Sequence, residues 1–434
     1  MARFRMYPTS EQASVMLKHC EHARYVWNLA VEQHSHWYRG RKAAPSFAEQ
    51  CRQLTEARRD NEWLREGNQT VQQQALQDFS KAKNAKFTAG FGEPTWRRKF
   101  RHEGFRVIGT DRVPEFGPDG SAKLNPKTGK QVLGRSVIVQ KLNKRWAQVK
   151  VHGCGWVRFR NTRTGLPDAK TFRVTYKNGQ WHIAFAVIPD PIDQPGTGEV
   201  IGVDRGVTIT AALSDGRKLN CPQLTIREQA QLRKHQRRAA RAPKGSEQKT
   251  AEYARVAELK AREADRRKDW CEKTSTDLAR SYDLIRFEKL HIKSMTAKAK
   301  PKPDPGQPGT FLKNGRAGKA GLNRAILAQG WGLLRQRTEQ KAPGRVEDVP
   351  APYTSLQCSA CKWIDKNSRK SQAEFVCSNC GFTCNADINA ATNVAVGQAV
   401  RPRHTRAGTG GVTPYQRSSA REPQHPTGVG IPRL

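Results

Sequence analysis

Acidic residues are scarce in this chain. Its 434 residues hold 39 Asp and Glu against 77 Lys and Arg, a formal charge of +38. Self-repulsion on that scale calls for a polyanion, which narrows the partner to nucleic acid or an anionic membrane surface. No run of about 18 apolar residues is present, so no bilayer-spanning segment is expected. Met1–Ser10 lacks the apolar stretch of a secretory leader, so the chain is read as cytoplasmic and nucleoid-associated. The positive charge runs along the whole length instead of gathering in one amphipathic tail, which favours nucleic acid over membrane. No internal repeat is evident. Nor is there a disulfide framework: of ten cysteines, Cys20, Cys51, Cys154, Cys221 and Cys271 lie far apart and read as reduced thiols. The other five crowd between Cys358 and Cys384.

At 36% hydrophobic residues the chain still supports a core, and its length suggests two to four domains. Ala2 to Tyr7 alternates as a short strand, and Thr9-Ser10-Glu11 opens a helix with a capping residue and an early acid. Helical spacing then continues, with breaks, to about Lys86, as a helical bundle. From Gly90 the period changes to two. Strands are expected at Arg106–Ile108, Ser136–Gln140, Ala147–Val151, Gly155–Phe159, Phe172–Tyr176 and Trp181–Val187, with Asn178-Gly179 as a tight type I′ turn. Such short antiparallel strands suggest a small barrel, with a loop at 116–134 and a linker at 189–198. Further strands are expected at Val200–Val207, Thr208–Leu213 and Leu284–Glu288. Between them a charged helix runs from near Ile226 to Arg280, broken at Pro243–Ser246. A Pro-rich stretch at 298–309, a helix from about Leu322 to Lys341 and a disordered tail at 401–434 complete the reading. The fold class expected is α+β and multidomain.

The most specific motif is Cys358-x2-Cys361-x15-Cys377-x2-Cys380. Two knuckles at this separation supply four thiolates for a structural zinc, with no open position for catalysis; a pair of redox CxxC motifs or two disulfides is the ordinary alternative. Cys384 reads as a spare thiol.

Three acids sit in unusual settings. Asp204 shares one face of an apolar strand with Gly202 and Gly206, whose missing side chains leave room for a metal or phosphate to approach. Glu288 ends an apolar strand, and Asp387 opens an alanine-rich helix. Singly, a strand-end Glu is a solvated edge and an Asp before Ile-Asn-Ala-Ala is an N-cap. Together, a strand Asp, a downstream strand Glu and a helix-start Asp make the carboxylate set of a ribonuclease-H-like nuclease, which holds two Mg²⁺ ions about 4 Å apart. Arg233, Lys234, Arg237, Arg238 and Arg241 recur at helical spacing, as do Arg262, Arg266 and Arg267. These faces suit phosphate contacts. Trp27, Trp37, Trp63 and Trp96 are candidates for base stacking or core.

Gly202-Val203-Asp204-Arg205-Gly206, Phe287-Glu288-Lys289-Leu290, the four-cysteine module and Ala386-Asp387-Ile388-Asn389-Ala390-Ala391 together resemble the TnpB (OrfB) proteins of insertion-sequence transposons. Tyr353-Thr354-Ser355, Phe375–Gly381, the opening Arg5–Gln12 and Arg24-Tyr25-Val26-Trp27-Asn28 are similar to theirs too. The resemblance covers about residues 1–397. It implies a compact RNA-guided DNA endonuclease related to type V CRISPR effectors, with guide RNA and target DNA as partners. It implies a wedge β-barrel (first strand 1–8, body 90–195) with an inserted helical recognition lobe (9–89). It also implies a RuvC-type nuclease core (196–345), a zinc ribbon (346–384) and a last nuclease helix (385–400). Asp204, Glu288 and Asp387 are implied as Mg²⁺ ligands, and Zn²⁺ as structural. Asn385 departs from the charged residue that many relatives carry two places before the Asp. A miniature CRISPR effector shares these features, and the neighbouring DNA would separate the two. A guided repressor without cleavage is the other alternative, against which the intact acid set argues.

Overall fold

The computed structural model describes residues 2–36, 44–109, 111–115, 120–126, 128–162, 165–166, 168–187, 190–307, 309–398 and 400. Trp37, the expected tail at 401–434 and parts of the expected loops at 116–134, 189–198 and 298–309 lie outside these ranges. In chain order the elements are β1 (Ala2–Tyr7), α1 (Ser10–Ser35), α2 (Phe47–Asp60), α3 (Glu62–Glu66), α4 (Gln69–Ala89), β2 (Gly104–Ile108), β3 (Asp111–Pro114), β4 (Leu133–Ser136), β5 (Val139–Lys141), β6 (Trp146–Val151), β7 (Gly155–Arg160), β8 (Thr171–Lys177) and β9 (Gln180–Phe185). There follow β10 (Val200–Asp204), β11 (Ala211–Leu213), β12 (Lys218–Leu219), α5 (Ile226–Arg241), α6 (Glu247–Ser281), β13 (Leu284–Lys289), α7 (Ile292–Met295), α8 (Arg316–Gln329), α9 (Trp331–Lys341), β14 (Val346–Pro350), β15 (Glu374–Val376), β16 (Thr383–Asn385) and α10 (Ala386–Ala395). The chain divides into two compact units. One takes the residues through Glu199 together with Asn220–Asp283 and Met295–Val346; the other takes Val200–Leu219, Leu284–Ser294 and the chain from Glu347 onward.

In the first unit, β8 and β9 are joined by Asn178 and Gly179, both at positive φ (53° and 73°), with Lys177 facing Gln180. This is the two-residue turn that suits the twist of paired strands. Alternate residues of the strands point into one core: Phe172 and Val174, Ile183 and Phe185, Val157 and Phe159 are all buried. Phe159 and Phe185 stack with centroids 5.6 Å apart, and Phe4 lies 5.2 Å from Phe159. Each such ring contributes about 2–3 kcal/mol by burial. Met16, Val26, Leu54, Leu76 and Phe79 from the helices complete the same core. Thr9 and Gln12 form a capping box at the start of α1.

The expected barrel is not seen as a closed one. The strands run β2-β8-β9-β1-β7-β6-β5, with β2 and β5 as edges not paired to each other among the described residues. The expected strand at Ser136–Gln140 is broken, because the backbone N–H of Val137 bonds to Ala169 between β4 and β5. The long charged helix forms as α5 and α6, with Ser246 capping the second. The expected helix to Lys341 is split into α8 and α9 at Gly330, which sits at φ +73°. A Cβ there would come within 2.9 Å of Arg267 Cγ and 3.2 Å of Cys271 Sγ, so only glycine fits.

In the second unit a five-stranded sheet runs β12-β11-β10-β13-β14. β10 and β13 are parallel, whereas β11 is antiparallel to both β10 and β12. α10 packs on β10. β15 and β16 form a separate two-stranded hairpin beside the cysteine cluster.

Candidate functional site: an acid cluster and a four-thiol module

The apolar run Val200-Ile201-Gly202-Val203 makes β10, and Leu284-Ile285-Arg286-Phe287 makes β13. Their register pairs Val200 with Leu284 and Val203 with Phe287. Asp204 and Glu288 therefore follow at the carboxyl ends of adjacent parallel strands. Those ends are where an open α/β sheet offers a crevice. The third acid comes from α10. Asn385 is the N-cap of that helix, its side-chain oxygen accepting from the N–H groups of Asp387 (3.2 Å) and Ile388 (3.3 Å). This overturns the N-cap reading of Asp387. The residue that departs from the family pattern does the capping, and the Asp387 carboxylate is free to face the cluster.

Gly202 corrects a second expectation. The space that its missing side chain leaves is taken by α10, not held open for a metal. A Cβ would stand 2.0 Å from the Ala391 carbonyl oxygen and 2.5 Å from the Ala395 nitrogen. Gly202→Ala is therefore expected to lift α10 from the sheet and cost about 3 kcal/mol, measurable as a lower midpoint in urea unfolding.

The electrostatics of the three acids are coupled. Asp204 keeps an opening to solvent but is ringed by protein atoms, and desolvation pushes its carboxyl well above the usual range. Glu288 and then Asp387 push it further, while Arg369 opposes them. Asp387 is also raised by burial, with Arg369 and Lys218 as the opposing cations. Arg369 Nη2 lies 3.1 Å from Asp387 Oδ1. Arg205 donates to the backbone carbonyl of Glu288, and its guanidinium lies 5.3 Å from the centre of the Phe287 ring. Like charges gathered in a desolvated site favour a proton or a cation. Among the described residues, the four cysteines form a second group, whose potential ligand atoms all lie within 4.8 Å of one another.

Those cysteines are Cys358, Cys361, Cys377 and Cys380, with Cys384 outside the group. Two of the sulfur pairs stand 3.8 Å (Cys358–Cys380) and 3.6 Å (Cys361–Cys377) apart. A tetrahedral zinc with Zn–S near 2.3 Å would separate sulfurs by about 3.8 Å, so the four thiols fit such an ion. The two knuckles repeat one backbone pattern. Lys362 N–H bonds to Cys358 O and Gly381 N–H to Cys377 O, both at 3.0 Å. The residue after the second cysteine is left-handed in each, at φ 65° and 71°. The Cys361 thiol is lowered to about 6 and that of Cys358 raised to about 12. Backbone and side-chain N–H donors favour the Cys361 thiolate against its desolvation, whereas desolvation dominates at Cys358.

Sequence reasoning missed the residues that join the module to α10. Asn389 and Asn393 are each 1% exposed. Asn389 donates to the Gln357 carbonyl (2.7 Å) and accepts from Ser359 N–H (2.9 Å). Asn393 donates to the carbonyls of Thr354 (2.9 Å) and Gln357 (2.7 Å). The signal was available: Asn385, Asn389 and Asn393 recur every fourth residue at the start of and along an alanine-rich helix.

Of the predicted basic faces, Arg233, Lys234, Arg237, Arg238 and Arg241 are exposed on α5. Arg262 and Arg266 instead bind the Glu228 carboxylate at 3.0 and 2.6 Å and hold α6 to α5. These contacts, with the Thr225 N–H, lower the Glu228 carboxyl to about 2. Arg267 reaches the Ala328 carbonyl (3.4 Å) and packs against Gly330. Trp27 is buried, whereas Trp63 and Trp96 are exposed.

A two-unit α+β chain with an acid cluster and a four-thiol module defines the class. Comparison with known families places it further. Residues 182–299 match the OrfB domain of IS605, described as "probable transposase". Residues 331–394 match a Cas12f1-like TNB domain, and residues 2–43 match the OrfB helix-turn-helix domain. Two of these three matches, at 2–43 and 182–299, are to domains of OrfB (TnpB) proteins. It is 28% identical over 408 residues to a protein of Escherichia coli (strain K12) named RNA-guided DNA endonuclease InsQ, covering 92% of each chain. A Streptomyces pristinaespiralis protein, also named RNA-guided DNA endonuclease, is 27% identical over 449 residues, covering 100% of this chain and 98% of its own. Among solved structures, a Cas12f1–sgRNA–target DNA complex contains a chain that is 12% identical with a TM-score of 0.47, covering 89% of this chain and 82% of that one. Among the described residues no helix is long and apolar enough to cross a membrane.

Proposed function

We propose that this chain is an RNA-guided DNA endonuclease of transposon origin that hydrolyses phosphodiester bonds with divalent metal. The observation that carries the reading is the coupled acid cluster of Asp204, Glu288 and Asp387 on adjacent parallel strands and the helix packed on them. Counting from β10, the sheet order is 3-2-1-4-5, which supports a ribonuclease-H-like (RuvC-type) core. The seven-stranded sheet and the helices at 9–89 take the parts of wedge and recognition lobe, and 346–384 that of the zinc ribbon. The names of the two full-length relatives agree with this reading.

Asp204, Glu288 and Asp387 would hold Mg²⁺, and the raised carboxyls of Asp204 and Asp387 fit a site that needs a cation to ionise fully. When bound, the ions supply Lewis-acid chemistry for an in-line displacement at phosphorus. The chain's own part is positional. Arg205 fixes the backbone of Glu288, Asn385 sets the first turn of α10, and Arg369 balances Asp387 until a cation arrives. Cys358, Cys361, Cys377 and Cys380 would hold Zn²⁺ as a closed structural site. Arg233, Lys234, Arg237 and Arg241 supply phosphate contacts on α5, and Arg262 and Arg266 brace the helix pair beneath them.

With its cognate guide RNA and Mg²⁺, the purified chain is expected to cut a duplex carrying the guide-matched sequence beside a short flanking motif. Electrophoresis of end-labelled DNA measures it. An intact duplex, under conditions where a family relative cuts, would overturn the proposal and leave guided binding as the alternative.

A further inference from the structure

The sequence Arg24-Tyr25-Val26-Trp27-Asn28 has no part in the acid cluster. Its structural work is to hold the loop between α4 and β2. Trp27 Nε1 donates to the Thr95 carbonyl (2.9 Å). Asn28 donates to the Arg97 carbonyl (3.0 Å) and accepts from the Arg97 N–H (2.7 Å). Arg24 gives two hydrogen bonds, at 2.8 and 2.7 Å, to the carboxylate of Glu103, which is 6% exposed. Glu103 in turn accepts the N–H of Phe100 at 2.6 Å. A buried bidentate ion pair fixes geometry more than it adds stability. Here it fixes a loop that closing a chain between two elements does not require.

What the loop presents is aromatic. Phe91, Trp96 and Phe100 are 66%, 50% and 84% exposed, and Phe87 in the last turn of α4 is 74% exposed. Phe100 sits at φ +62°, a left-handed conformation that is an outlier for a bulky side chain. The strain is held by the Glu103 contact, and it turns the ring outward. Lys86 and Lys99 place their ammonium groups 5.4 Å from the ring centres of Phe87 and Phe100, while also pairing with the carboxylates of Glu93 and Glu21. Arg98 and Arg101 are exposed in the same loop. Rings held out in water beside cations, on a chain of charge +38, complement a polyanion that has flat apolar faces of its own.

We propose that loop 90–103, with Phe87, is a stacking surface for unpaired bases of RNA. In duplex DNA the faces of the bases are covered by their neighbours, whereas proteins recognise RNA chiefly at unstacked bases laid on aromatic rings. The choice of RNA rests on the RNA-guided reading above. The surface uses none of the acid-cluster residues, so loss of stacking and loss of cleavage are separately measurable.

The test uses the full chain carrying Trp96→Ala together with Phe100→Gly, titrated by fluorescence anisotropy against a labelled single-stranded RNA oligonucleotide and a labelled DNA duplex. RNA affinity is expected to fall about 25-fold, at about fivefold per ring, with duplex affinity and the salt slope unchanged. The melting temperature should hold or rise, since glycine relieves the strain at position 100. Trp96→Phe alone should keep RNA affinity within about twofold. In an equimolar mixture of photoreactive RNA and single-stranded DNA of the same sequence, adducts at 87–101 should be mainly RNA. Unchanged RNA affinity, or an equal loss on duplex DNA, overturns the proposal. Adducts mainly of DNA overturn the assignment to RNA.

Discussion

Asp204→Asn is expected to abolish cleavage while making the metal-free chain more stable. The two effects share one cause. Asp204 is desolvated and faces Glu288 and Asp387, so its ionised form is unfavourable unless a cation shares the site. Asparagine keeps the shape and removes the charge. Cleavage should fall by about 10³-fold or more, since a metal in such a site supplies several kcal/mol of transition-state stabilisation. Stability without metal should rise by about 1–2 kcal/mol, as when a functional site is relieved of its own strain. The pH dependence has a definite sign. A carboxyl whose folded pKa lies above its ordinary 3.8 binds its proton more tightly in the folded state. Metal-free wild type therefore loses stability as pH rises through 3.8 toward the raised value, and Asp204→Asn loses less, keeping only the contribution of Asp387. Thermal melts of both forms across acidic to neutral pH, with and without Mg²⁺, measure this. A variant that still cuts, or that melts lower at neutral pH without metal, would exclude Asp204 from the acid site.

Stripping the four-thiol module of its metal should have the second large effect, with no carboxylate touched. Structural zinc sites of this type have apparent binding energies of about 10–16 kcal/mol, and that energy is folding energy. Here it bears on more than the module. Segment 354–359 runs into the first knuckle and is tied to Asn389 and Asn393 of α10 by four hydrogen bonds between 2.7 and 2.9 Å. Arg369, between the knuckles, holds Asp387. Loss of the ion should therefore free the segment, release α10 from two of its buried polar anchors and scatter the acid cluster. Cys377→Ser, or chelation, is expected to lower zinc from one atom per chain to none. Amide protection of α10 and cleavage should be lost together. A zinc-free chain that keeps α10 protected and still cuts would break this coupling.

Much of the fold was legible wherever the signal was local. Asn178-Gly179 between alternating apolar residues can form little but a tight hairpin, and Pro243–Ser246 could only interrupt the charged helix. The three acids were legible because each stood out against an apolar or alanine-rich run. What failed to show was pairing at a distance. Periodicity marks strands but does not say whether the first and last meet, so a barrel was expected where β2 and β5 remain edges. The positive faces of α5 and α6 looked alike, yet Glu228 claims Arg262 and Arg266 and leaves the α5 cations exposed. Gly202 was rightly singled out for closeness, but what comes close is the backbone of a helix nearly two hundred residues away. Asn389 stood out only within the family motif and Asn393 not at all, because the carbonyls they bond to lie over thirty residues away in sequence.

The packing of α10 on Gly202 also sets the order in which this chain becomes active during synthesis. β10 and β13 can pair once Lys289 has emerged from the ribosome, but Asp387 and the helix that seats it arrive only near the end of the described chain. Closing so long a span is entropically slow compared with the local hairpins and helix pairs. A nascent or truncated product therefore carries two acids on an uncovered sheet, without the third. On the reading proposed above, such a chain would have its basic α5 face before it has the complete acid site. The third acid would then be the last of the set to reach its place.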